Sequence, residues 1–146
     1  MNAVKGIVLG VILAILLFIG AGLTYAQDFR PWPYFSNEQQ MVDWVYNHVQ
    51  YDRVRAASMG SDIQTWQVTL TRHAGVCRDE AVLLMAILKY QYREDTWLVC
   101  IALPDGELHA IVDDNRGHYL DPTNDCIISD LPGYEVARFE YSALAQ

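Results

Sequence analysis

Val82 to Leu88 is an unbroken apolar run, and it begins five residues after Cys77. On a helix such a run is apolar almost all the way round, so the segment from Cys77 to about Tyr92 must be buried on most sides. No other segment constrains the fold as strongly, because the remaining elements have to wrap around it. Gly75 breaks the segment before it, which leaves Cys77 where a loop turns into the helix. A thiol at that position meets the positive end of the helix dipole and backbone N–H groups without intrahelical acceptors, and both favour the thiolate. Asp79 and Glu80 fall in the first turn. There acidic side chains complement the dipole, a reading preferred here to a catalytic one.

The surrounding chain reads as helices followed by strands. Ser36 with Gln39 three residues later forms a capping box. Met41, Val42, Trp44, Val45 and Val49 follow at helical spacing, predicting an amphipathic helix from Asn37 to about Gln50. Tyr51 to Ser61 reads as a loop containing Gly60. Asp62 is the expected N-cap of a short helix to about Arg72, with Ile63, Trp66 and Leu70 on one face. Beyond the central helix, Trp97 to Leu103, Glu107 to Asp113 and His118 to Leu120 read as strands. Pro104-Asp105-Gly106 and Asp114-Asn115-Arg116-Gly117 turn the chain between them. Pro132-Gly133 opens a tail that carries a last strand or short helix through Leu144. Helices first and an antiparallel meander second make an α+β domain. Trp44 and Trp66 are read as core residues rather than stacking platforms for a substrate.

The N-terminus is read as separate from this fold. Gly6 to Leu23 contains only apolar residues and glycine, with Lys5 as the one charge before it. Its length lies between the core of a cleaved signal peptide and a full membrane span. Thr24-Tyr25-Ala26 suits cleavage before Gln27, whereas the apolar length suits a retained anchor, and both readings stay open. Either places the chain from Gln27 onward outside the cytoplasm. The expected organisation is therefore a signal peptide or transmembrane anchor at 1–26, a proline-containing linker at 27–35, and one domain at 36–146.

Ten Lys and Arg face eighteen Asp and Glu, a formal charge of −8. A chain this acidic has no electrostatic footprint for nucleic acid. Its cysteines, Cys77, Cys100 and Cys126, are too far apart in sequence for a zinc motif, and no metal or cofactor is expected. An export signal would permit a Cys100–Cys126 disulfide, leaving Cys77 free. The plainer reading makes Cys100 a small buried hydrophobe on a strand.

Parity on the second hairpin bears on the chemistry. If Gly117 takes the left-handed position of a three-residue loop, Asp114 pairs with His118, and Asp121 is the diagonal neighbour of His109 on one face. If Asp113 pairs with Gly117 instead, His109 lies directly opposite Asp121. Both registers bring the two side chains within reach. His118 points to the other face, which favours His109 as a base.

These residues have familiar neighbours. "GVCRDEAVLLMAILK", "GELHAIV" and "HYLDPTND" resemble the transglutaminase-like superfamily of papain-like cysteine enzymes, including its bacterial cysteine peptidases, over about Trp66 to Asp125. The resemblance implies a papain-like/transglutaminase-like core, a helix packed on an antiparallel sheet. It implies a nucleophile at Cys77, a base at His109 and an orienting carboxylate at Asp121. The Cys77 N–H is the expected first oxyanion donor, with Trp66 and Gln67 as candidates for a second donor and for substrate contact. The function so implied is an exported or membrane-tethered thiol hydrolase acting on a peptide or protein substrate through an acyl-enzyme. Transfer of the acyl group to an amine, or a non-catalytic module that binds an extended peptide, are the alternatives.

Overall fold

The computed structural model describes residues 30–58 and 62–144. The chain divides into two units, Met1–Pro33 and Tyr34–Gln146, and all of the described helices and strands belong to the second. The signal or anchor segment expected at 1–26 lies outside the described residues, as do residues 27–29 of the expected linker and Gly60. Among the described residues, no helix is long and apolar enough to cross a membrane.

The central helix runs Cys77–Tyr92, with every residue from Asp79 to Leu88 buried. Arg93, in the left-handed conformation, ends it. Among the described residues it is the fourth helix, α4. Before it come α1 (Glu38–His48), β1 (Gln50–Tyr51), α2 (Arg53–Ala57), α3 (Trp66–Arg72) and β2 (Ala74–Gly75). After it come β3 (Trp97–Ala102), β4 (Leu108–Asp113), β5 (Tyr119–Asp121), β6 (Cys126–Ile128), β7 (Tyr134–Glu140) and α5 (Tyr141–Leu144).

Both expected caps moved toward the C-terminus. Asn37, not Ser36, caps α1 and accepts from the Gln40 N–H at 3.0 Å, while the Gln40 side chain accepts from the Ser36 N–H at 2.8 Å. Asn and Ser cap equally well, and the shifted frame leaves Gln39 to bond Asp43 on the exposed face. Thr65, not Asp62, caps α3. The Asp62 carbonyl is drawn instead to the guanidinium groups of Arg55 and Arg78. The stretch expected as loop from Tyr51 also holds β1 and the five-residue α2, capped by Asp52.

Five strands form one antiparallel sheet in the order β6-β5-β4-β3-β7. The expected meander accounts for β3 to β6, and the chain then returns so that β7 pairs on the far side of β3. Helix α4 packs on β3 and β4, and α1 packs against α4. The helix-on-sheet α+β architecture is that implied by the resemblance. Val99, Ile101 and Ile111 form one buried cluster of the sheet, with Trp97, Leu103, Tyr119 and Leu131 packed against it. The two-residue strands β1 and β2 pair in parallel, Tyr51 opposite Gly75, and so bind the segment before Cys77 to the end of α1. Phe35 is buried, with its N–H donating to Gln91 and its carbonyl accepting from Gln91 and Tyr92.

Candidate active site

Gly75 and Val76 deliver Cys77 to the first position of α4. Val76 has no capping side chain, so the Asp79 carboxylate takes that role and accepts the Val76 N–H at 3.0 Å. Asp79 is fully buried and also receives the Gln64 N–H at 2.8 Å, the Gln64 side-chain amide at 3.2 Å and the Arg55 guanidinium. It is more than a complement to the dipole: it joins the Gln64 segment and α2 to the turn that presents Cys77. Gly75 makes this approach possible, because a Cβ there would stand 2.9 Å from the Asp79 Cβ and 3.3 Å from the Thr69 Cγ2.

The sheet supplies the other two groups. Gly117 is left-handed at φ +97°, and Asp114 pairs with His118 through an N–H···O bond of 3.1 Å. Val112 opposite Leu120 and Asp113 opposite Tyr119 continue that register, the first of the two expected. His109 and Asp121 are therefore diagonal on one face. His109 Nε2 lies 2.8 Å from Asp121 Oδ2, with side chains 11% and 5% exposed. The other ring nitrogen is left free of Asp121, and the half-buried Cys77 is close enough to favour the charged ring. The three residues singled out in the sequence thus meet in one place.

Charge follows from this geometry. Burial works against a charged His109, but the Asp121 bond and the neighbouring Cys77 overcome it and lift the imidazole to about 10. At neutral pH it is an imidazolium. Asp121 is likewise penalised by burial yet held below the usual carboxylate range by His109 and Asn124. Its turn is built for an anion. Pro122 has no N–H, and the next two residues donate theirs to Asp121 Oδ1, Thr123 at 3.1 Å and Asn124 at 3.2 Å. The Asn124 side chain adds a 2.8 Å bond to Oδ2.

The Trp66 ring is turned away from these groups. The Trp66 ring packs edge-on against Tyr90. Tyr90 lies thirteen residues along α4 from Cys77, roughly 20 Å on a helix. Gln67 is exposed on α3. His118 faces Asp114 instead, at 3.0 Å. Trp44 is half-buried between Phe35 and His48. All three cysteines are free. Cys100 on β3 and Cys126 on β6 are separated by two intervening strands, about 14 Å of sheet, which no disulfide spans.

Two site residues carried no local signal. Glu80, one helical turn after Cys77, is 2% exposed and accepts the Thr123 hydroxyl. Burial raises its carboxyl to about 7, against the Thr123 bond, and the charges of Asp121 and Asp79 add to the rise. Tyr51, on β1, is raised by burial and by the charges of Cys77, Glu80 and Glu107. Only the β1–β2 pairing brings it there. Elsewhere, Glu38, Asp114 and His118 converge, with Arg116 as their cation: its guanidinium pairs with Glu38 and lies 3.5 Å from Asp114.

Comparison with known proteins agrees with the fold. The sequence model of the family described as "Transglutaminase-like domain" matches residues 33–115. No match was found among curated proteins. Among solved structures the chain is similar to calcium-bound LapG of Legionella pneumophila, with TM-score 0.54 and 11% identity over 70% of this chain and 62% of that one. A second Legionella pneumophila LapG structure gives TM-score 0.51 and 14% identity over 70% and 63%. A Cytophaga hutchinsonii protein thought to be a cysteine protease gives TM-score 0.49 and 21% identity, covering 82% of this chain and 48% of its own. The chain thus spans about half of the Cytophaga protein and under two thirds of LapG. Such identities establish the shared fold alone; the family match covers more than half of the sequence, and the chain belongs to the transglutaminase-like domain family.

Proposed function

We propose that this protein is a cysteine hydrolase of the peptidase type, with Cys77 as nucleophile, His109 as acid and base, and Asp121 as the group that orients His109. The observation that carries the reading is the His109 ring bonded to the Asp121 carboxylate at 2.8 Å beside the Cys77 thiol. The Cys77 thiolate adds to an amide carbonyl, and the oxyanion faces the N–H groups at the start of α4. His109 gives its proton to the amine as the C–N bond breaks, leaving a thioester on Cys77. Neutral His109 then takes a proton from water as the water oxygen attacks that thioester, and the C–S bond breaks to return the thiolate. Asp121 fixes the ring so that Nε2 faces the carboxylate and the opposite nitrogen faces sulfur.

An extended peptide is the substrate class that suits the surroundings. An open groove of about 630 Å³, lined by Gln50, Tyr51, Asp52, Arg53, Val54 and Ala74, flanks the strand pair that leads to Cys77. Water is the acyl acceptor in this reading, and an amine is the alternative. The remaining organisation is part of the same proposal: residues 1–26 as signal or membrane anchor, a short connector, and the folded domain outside the cytoplasm. The test is an electrophilic peptide probe followed by mass mapping. The adduct is expected on Cys77 alone, lost in Cys77→Ser and kept in Cys100→Ser and Cys126→Ser. Labelling that survives Cys77→Ser contradicts the assignment.

A further inference from the structure

Glu80 takes no part in the mechanism above, yet it is a buried carboxyl beside the groups that do. It stands three residues after Cys77 on α4, and its Oε2 accepts the Thr123 hydroxyl proton. Thr123 donates its backbone N–H to Asp121 at 3.1 Å. One residue therefore ties the helix that carries the nucleophile to the turn that carries the orienting carboxylate. We propose that Glu80 is a positioning residue: through Thr123 it locks the Asp121 turn to the nucleophile helix, and its charge supports the imidazolium form of His109. The proposal rests on the Cys77, His109, Asp121 reading.

The charges around Glu80 come from several elements. Asp79 on α4 is neutralised by Arg55, whereas Asp121 on β5 is already paired with His109. His109 on β4 is the cation within reach, and Tyr51 on β1 contributes a neutral phenol. An ionised Glu80 acts on Asp121 and Asp79 and also on His109, where a nearby anion favours the charged ring. Glu80 titrates at about 7 and His109 at about 10, so Glu80 is ionised throughout the titration of the imidazolium. The same coupling predicts that protonation of Glu80 at lower pH withdraws part of that support.

The test uses the full chain and separates the bond from the charge. Glu80→Gln keeps an acceptor for Thr123 and removes the charge; Thr123→Val keeps the charge and removes the bond. Histidine titration is followed by NMR, with His109 assigned from His109→Gln, and Cys77 reactivity is followed by iodoacetamide. In Glu80→Gln, His109 is expected to titrate lower, by less than in Asp121→Asn, because Asp121 is its hydrogen-bonded partner. Its neutral-pH alkylation should stay within about threefold of wild type, because His109 is still charged there. In Thr123→Val, alkylation of Cys77 is expected to fall by about 10- to 100-fold, the cost of a misplaced group. An unmoved His109 titration in Glu80→Gln, or wild-type alkylation in folded Thr123→Val, overturns the proposal. If the wild-type thiol itself reacts like a free cysteine, the hydrolase reading fails, and the His109 titration still decides the case of Glu80.

Discussion

Replacing Asp79 tests how the nucleophile is presented. Its side chain is 0% exposed and receives two backbone N–H groups, from Gln64 at 2.8 Å and Val76 at 3.0 Å, besides the Gln64 amide and Arg55. Asp79→Ala leaves both backbone donors buried without an acceptor, at about 1–2 kcal/mol each. It also removes the partner of Arg55, whose side chain is 18% exposed and can recover only part of its hydration. The expected loss is about 3–5 kcal/mol. For a domain of this size that lowers the melting temperature by roughly 15–25 °C. Asp79→Asn keeps one acceptor oxygen and should lose about half as much. Urea unfolding measures both, and the midpoint should move with little change in slope. A loss under about 1 kcal/mol for Asp79→Ala, at unchanged slope, would refute the reasoning: water would then replace the carboxylate at no cost.

Other expectations follow from the same geometry. Asp121→Asn should lower the His109 titration from about 10 and reduce turnover by about 10²–10⁴-fold, read as kcat/KM with any peptide the enzyme accepts. Gly75→Ala should destabilise by about 1–3 kcal/mol in thermal unfolding, since the new methyl meets the Asp79 Cβ at 2.9 Å. Glu80 has a raised carboxyl, about 7 against an ordinary 4.5, so the folded state holds its proton more tightly than the unfolded chain. Stability should therefore fall as pH rises from about 4.5 to 7, by up to about 3 kcal/mol from this group, and Glu80→Gln should flatten that slope in a series of urea titrations. His109 acts in the same direction over a higher range: its contribution is complete below about 6.5 and is lost as pH rises through about 10.

The central helix was legible because its signal is local. A continuous apolar run from Val82 to Leu88 has one physical solution, and the helix spans Cys77–Tyr92 as the pattern predicts. The hairpin was legible for a similar reason: Gly117 supplies the left-handed residue, and a period of two then fixes which side chains share a face with His109. What escaped depends on contacts distant in sequence. Asn37 and Ser36 are equivalent caps locally, and only the reciprocal bonding of Gln40 decides between them. Asp62 has the right chemistry for a cap, but two arginines claim its carbonyl. The pairing of β7 with β3 is invisible to periodicity, because nothing in Tyr134–Glu140 says which edge it joins. Glu80 has the sequence signature of an exposed first-turn acid, and its burial becomes evident only once Thr123 is folded over it.

The central claim is that Cys77 and His109 work as a coupled thiolate–imidazolium pair, and the rate of Cys77 alkylation against pH tests it most directly. With His109 charged up to about 10, alkylation by iodoacetamide should be rapid and nearly flat from well below the free-thiol range of about 8.5 to near the His109 titration. In His109→Ala the profile should collapse to that of an ordinary thiol, rising with pH around 8.5. A wild-type profile that already follows the ordinary thiol curve, unchanged by His109→Ala, would contradict the account.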